Sequence, residues 1–91
     1  MKNTLALFVK TKYGNIYKIA TYSKNKALQY INDSEYKNEV AKVFNTHPNN
    51  ISIVCEWIMN NQTGELFTFA EALADADEKR NTIDNYIKIY Q

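Results

Sequence analysis

Ile51-Ser52-Ile53-Val54-Cys55-Glu56-Trp57-Ile58-Met59-Asn60 followed by Asn61-Gln62-Thr63-Gly64 and Glu65-Leu66-Phe67-Thr68-Phe69 is the stretch that decides the fold. Ile51, Ile53, Cys55, Trp57 and Met59 recur at the two-residue period of a half-buried strand. Asn61 to Gly64 supplies turn chemistry, and Leu66, Phe67 and Phe69 suit a pleated return strand. The segment therefore predicts a β-hairpin as the floor of the domain.

The opening of the chain predicts a second hairpin. Leu5, Leu7 and Val9 alternate ahead of Lys12-Tyr13-Gly14, and an apolar pattern resumes from Ile16 to Tyr22. A three-residue loop with Gly14 left-handed pairs Val9 with Tyr17, Leu7 with Ile19 and Leu5 with Thr21; a two-residue loop would bring Lys18 onto the apolar face. With the two turn glycines superposed, fifty positions apart, Leu7 meets Trp57, Val9 meets Met59 and Ile19 meets Phe69.

Between the hairpins, Ser23 is an expected N-cap for a helix carrying Ala27, Leu28 and Ile31. A second run places Tyr36, Val40, Val43 and Phe44 at helical spacing, with a break expected near Asp33 because Asn, Asp and Ser favour caps over helix interiors. Residues 24–45 thus read as one bent helix or a pair, and Thr46-His47-Pro48-Asn49-Asn50 as a loop. Thr68 and Glu71 have capping-box spacing, and Phe69, Leu73, Ala76, Ile83, Ile87 and Tyr90 then recur every three or four residues. No Gly or Pro follows Gly64, so a long C-terminal helix is expected.

The fold class expected is α+β, a single domain over residues 1–91. It comprises two ββα units, with an antiparallel sheet and its helices on one face. The core is expected to contain Leu5, Leu7, Val9, Tyr17, Ile19, Ile53, Trp57, Met59, Phe67, Leu73, Ile83 and Ile87.

Composition is ordinary for a globular chain: 45% hydrophobic and 23% charged residues, which argues against disorder. One cysteine allows no intramolecular disulfide, and the apolar run Leu5–Val9 is too short for a signal-peptide core or a membrane span, so a cytoplasmic setting is expected. Abundant Tyr, Asn, Lys and Ile also fit an AT-rich genome such as that of a low-GC bacterium, a phage or a mobile element.

Catalytic chemistry finds little support. His47 is the only histidine and Cys55 the only thiol, the latter on an apolar face where it acts as a small hydrophobe. One Cys and one His make no zinc cluster, Asp75-Ala76-Asp77-Glu78 lacks the glycine of a calcium loop, and Gly14 and Gly64 are isolated rather than part of a phosphate loop. No cofactor and no enzymatic activity are expected; a small enzyme of unknown reaction is the third-ranked reading.

Charge is the remaining signal. The net formal charge is +1, yet residues 1–50 hold eight Lys and three acids, whereas residues 51–91 hold three bases and seven acids. Glu71, Asp75 and Glu78 fall on one helical stripe and are expected to be exposed together. The leading expectation is a non-catalytic protein-binding module that works by surface occupancy. It would be a regulator, or a phage or mobile-element inhibitor of a larger host complex, using that stripe against a basic nucleic-acid-binding partner. Self-association as a homodimer is compatible with it. The alternative is nucleic-acid binding by Phe8, Lys10, Lys12, Tyr13 and Lys18 of the first hairpin, lysines tracking phosphates and an aromatic stacking on bases.

Overall fold

Local chemistry sets each element of the computed structural model, which describes residues 2–91. Strands β1 (Thr4–Thr11) and β2 (Ile16–Ser23) flank a three-residue loop, Lys12-Tyr13-Gly14, closed by the Thr11 amide donating to Asn15 O at 2.8 Å and the Gly14 amide to Thr11 O at 3.0 Å. Helix α1 (Lys24–Tyr30) starts at Ser23, whose Oγ accepts from the Lys26 amide. Asp33 ends the run and caps α2 (Ser34–Val43), its carboxylate accepting from the Glu35 and Tyr36 amides. A 3₁₀ turn at Pro48–Asn50 leads into β3 (Ile51–Asn60) and the short β4 (Leu66–Phe67). Thr68 and Glu71 form the full capping box that opens α3 (Phe69–Glu78). A further 3₁₀ turn, Ile83–Asn85, precedes β5 (Tyr86–Tyr90).

The result, among the described residues, is α+β, three helices on an open five-stranded antiparallel sheet, ordered β2-β1-β3-β4 with β5 also on β3. Strand β3 is the hub: Ile51–Cys55 pair with β1, and Glu56–Asn60 pair with β5 and β4. Successive amides along the strand point to opposite edges, Asn60 bonding Glu65 O and Asn61, just past β3, bonding Asn85 O, so β4 and β5 lie on either side of it.

Three expectations need correction. The chain does not end on a long helix. Helix α3 stops at Glu78 because Arg80 adopts a left-handed φ of 51°, with the Asn81 amide bonding Ala76 O and the Arg80 amide bonding Asp77 O. These are the two bonds of a Schellman motif, made here without glycine, and Asn45 closes α2 by the same device. Ile83, Ile87 and Tyr90 keep helical spacing, but Tyr86-Ile87-Lys88-Ile89-Tyr90 also alternates and is all aromatic or β-branched except Lys88, and strand pairing to β3 wins.

The second correction concerns register. Val9 faces Tyr17 as expected and Lys18 faces Phe8, away from α1 and α2, but a bulge between Leu7 and Phe8 then sets Leu7 opposite Ala20 and Leu5 opposite Tyr22. Ile19 is the extra residue, and it packs into the core.

Third, the helices do not share a face. Ala27, Val40 and Ala41 of α1 and α2 bury Leu5, Leu7, Val9, Ile51 and Cys55 with Ile53, the odd-numbered face of β3. Ala72 and Ala76 of α3 instead pack on Ile58, Phe67 and Tyr86, the even-numbered face of its other half. Expected core members Tyr17, Leu73, Ile83 and Ile87 are accordingly exposed. The molecule measures 46 × 25 × 16 Å, thin enough for one helical layer over the sheet at any point.

Both turn glycines have positive φ, 86° at Gly14 and 77° at Gly64, and a Cβ at either would meet nothing within 4 Å. The penalty for a side chain there is conformational alone. Gly14→Val and Gly64→Val should each lower the urea midpoint by the equivalent of about 1–2 kcal/mol; unchanged midpoints would contradict the turn geometry.

Candidate functional site

The acidic stripe is built into the fold rather than left free. Glu71 accepts from the Thr68 amide (3.0 Å) and from Asn3 Nδ2 (3.3 Å), and Lys24 Nζ reaches its two oxygens at 2.9 and 3.2 Å, tying α3 to the start of α1. Thr68 Oγ1 also bonds Asn3 Oδ1, closing the cap against the start of β1. Asp75 accepts from the Tyr86 hydroxyl at 2.6 Å and pairs with Lys79 at 2.9 Å, fastening α3 to β5. Only Glu78 of the three is exposed. They do converge, with Glu65, on a shallow groove of about 440 Å³ that also holds Lys24. The expectation that they stand exposed together is therefore not met.

These bonds set the carboxyl pKa values. At Glu71 desolvation acts to raise the value, but the Thr68 amide, Lys24 and Asn3 together outweigh it and lower it. The Tyr86 hydroxyl, then Lys79, lower that of Asp75. A carboxylate depressed in the folded state stabilises fully above its unfolded pKa, and that contribution is lost as pH falls through the folded value. Urea midpoints should hold from pH 7 to about 4.5 and fall below it. Glu71→Gln should flatten that acid limb; an unchanged limb would contradict the bridge to Lys24.

The first hairpin divides its expected residues. Phe8, Lys10 and Lys18 share the sheet face opposite α1 and α2, whereas Lys12 and Tyr13 stand at the tip, the ammonium 5.2 Å from the ring centroid. Beside the tip, Tyr13, Tyr17, Phe44, Thr46 and Ile51 line an open cavity of about 550 Å³, with Tyr17 and Phe44 in ring contact at 5.8 Å.

Sequence reading missed an apolar sheet surface. Cross-strand pairs Trp57↔Ile89 and Met59↔Ile87 lie side by side on the odd-numbered face of β3 and β5, with Leu66 opposite Met59 on the other edge. All five are only partly buried or exposed, Ile87 at 41%. Met59, Leu66, Ile87 and Ile89 join none of the three buried clusters, and only Trp57, at the margin, packs toward the core of Leu5, Leu7 and Cys55. The helix expected to cover this face sits on its reverse. The signal available in sequence was the alternation of Ile87 and Ile89 within residues 86–90, which marks a strand with one apolar face.

Catalytic geometry is not evident among the described residues. Cys55 is fully buried, and burial pushes its thiol pKa up, the reverse of an activated nucleophile. His47 Nδ1 accepts from the Asn49 amide at 3.1 Å and so caps its own 3₁₀ turn. No group of three or more His, Cys, Asp or Glu is placed to hold a metal among the described residues. No described helix is long and apolar enough to cross a membrane. Comparison with protein-family models, with curated proteins and with solved structures finds no match for this chain.

Proposed function

We propose that this protein is a non-catalytic binding module that acts by occupying a protein partner's surface, through the face Trp57, Met59, Ile87, Ile89 and Leu66. One observation carries the reading: five large apolar side chains form a contiguous sheet face, and four of them, Met59, Leu66, Ile87 and Ile89, pack against no buried cluster among the described residues. Surfaces of this kind mark interaction sites, and Trp and Met are enriched where partners meet. The face holds no charged side chain, so its partner is matched by apolar shape rather than by charge. This moves the contact surface away from Glu71, Asp75 and Glu78, two of which already serve the fold. A small regulator or mobile-element inhibitor of a larger complex would need nothing more than such a face.

Ile87→Lys tests this at little cost to folding, because the side chain is already 41% exposed and belongs to none of the buried clusters. Wild type and variant are compared by affinity capture from nuclease-treated bacterial lysate and by sedimentation velocity up to about 200 µM, on the order of the weak end of specific association. The expected result is a partner, or a second copy of the chain, held by wild type and lost in Ile87→Lys while the melting temperature stays within a few degrees. A monomer that captures nothing, or a variant that captures the same proteins, overturns the proposal.

A further inference from the structure

The second uncovered face, on the other half of the sheet, has different chemistry. On β1, Phe8 and Lys10 point away from α1 and α2; across the strand pairs they meet Lys18 and Ile16 of β2 and Val54 and Ser52 of β3. By the same alternation Glu56 of β3 and Lys88 and Tyr90 of β5 continue that face. Lys10, Lys18 and Lys88 are all exposed. Glu56 is the one acid among these residues, and it is already engaged, by Lys88 Nζ at 3.4 Å and by the Tyr90 hydroxyl at 3.1 Å. At the centre the rings of Phe8 and Tyr90 meet edge to face, centroids 4.9 Å apart, and Tyr90 remains 39% exposed.

We infer that this face is a binding site for single-stranded nucleic acid, with Lys10 and Lys18 contacting phosphates and the Tyr90 ring, braced by Phe8, stacking a base. Charge complementarity favours a polyanion, since the acid is paired and Lys10 and Lys18 form no ion pair among the described residues. The exposed ring selects among polyanions: a duplex keeps its bases stacked inside, whereas a single strand can present one to an aromatic platform on a sheet. Tyr90 and Lys88 come to the site only because residues 86–90 form a strand beside β3. Lys12 and Tyr13, at the hairpin tip, lie outside it. The site is on a different face from the one proposed for protein binding and stands or falls independently.

The test is fluorescence anisotropy with a labelled 20-nucleotide oligo(dT) and an oligo(U) of equal length, each titrated in about 20 mM to 200 mM salt. Micromolar binding is expected at low salt, weakening with a log–log slope of about −0.7 for each phosphate contact. The double variant K10A/K18A should reduce that slope by about 1.4. Tyr90→Ala should weaken binding about 5- to 100-fold with the slope unchanged, and Tyr90→Phe should retain it. All altered side chains are exposed, and unchanged circular dichroism shows that each variant is folded. No binding at about 100 µM protein in low salt, far above the affinity expected, overturns the site. So does equal affinity for duplex DNA or poly-glutamate, or insensitivity to both K10A/K18A and Tyr90→Ala.

Discussion

Leu7→Ala is expected to destabilise the fold by about 2–5 kcal/mol, the range for truncating a fully buried leucine that leaves a cavity behind. Leu7 has no exposed surface, packs with Leu5, Ala27 and Cys55, and lies across from Cys55 on the hub strand. A layer only one helix deep offers few side chains that could move into the space. Against the ~5–15 kcal/mol of a typical small domain, such a loss should bring the urea midpoint down by a large fraction. A loss below about 0.5 kcal/mol, the scale of a surface substitution, would place Leu7 outside the core.

Cys55 gives the second large effect. The thiol is fully buried, and burial raises its pKa, so in the folded protein it is both shielded and protonated. Alkylation by a maleimide should proceed only through opening of the structure, at least about a thousandfold more slowly than in denaturant, given the fraction of unfolded chain in a marginally stable domain. Leu7→Ala should speed it in proportion to the stability lost, because the two side chains are cross-strand neighbours. Rapid labelling of the native protein would contradict the packing of α1 over β1 and β3.

Much of the fold was legible where the chemistry is local. Gly14 in the first turn, Ser23 as a cap, the break at Asp33 and the Thr68–Glu71 box all depend on residues within a few positions of one another, and all are seen. The misreadings come from competition beyond that range. Residues 83–90 satisfy a helical and a strand period at once, and only the free edge of β3 decides between them. Nothing local marks Arg80 for a left-handed helix stop, since that position is usually filled by glycine or asparagine. The bulge that displaces Ile19 answers to packing between β1 and β2, not to the turn that sets their register.

The candidate surfaces follow the same division. Alternation along β1 and the register set by the first turn put Phe8, Lys10 and Lys18 on one face, and both are local. Their neighbours Lys88 and Tyr90 reach that face only through the pairing of β5 with β3, which a helical period over residues 83–90 does not reveal. The carboxylates of α3 share a stripe, but whether a stripe is free depends on what it meets, and Glu71 and Asp75 meet Lys24 and Tyr86. The same helical period makes Ile87 a cover for the sheet, whereas as a strand residue paired with Met59 it is part of the sheet's bare side.

Trp57, the only tryptophan, reports directly on that bare side. It lies beside Ile89, its indole N–H donating to Gln91 O at 3.2 Å, and it remains partly open. Acrylamide quenching of Trp57 fluorescence, measured on the dilute free protein and again on the associated form, is the decisive measurement. The indole should be quenched readily in the free protein and protected, with a blue-shifted emission, on association, and Ile87→Lys should show the free-protein value under both conditions. Equal quenching in the free and associated forms would contradict the assignment of this face as the contact surface.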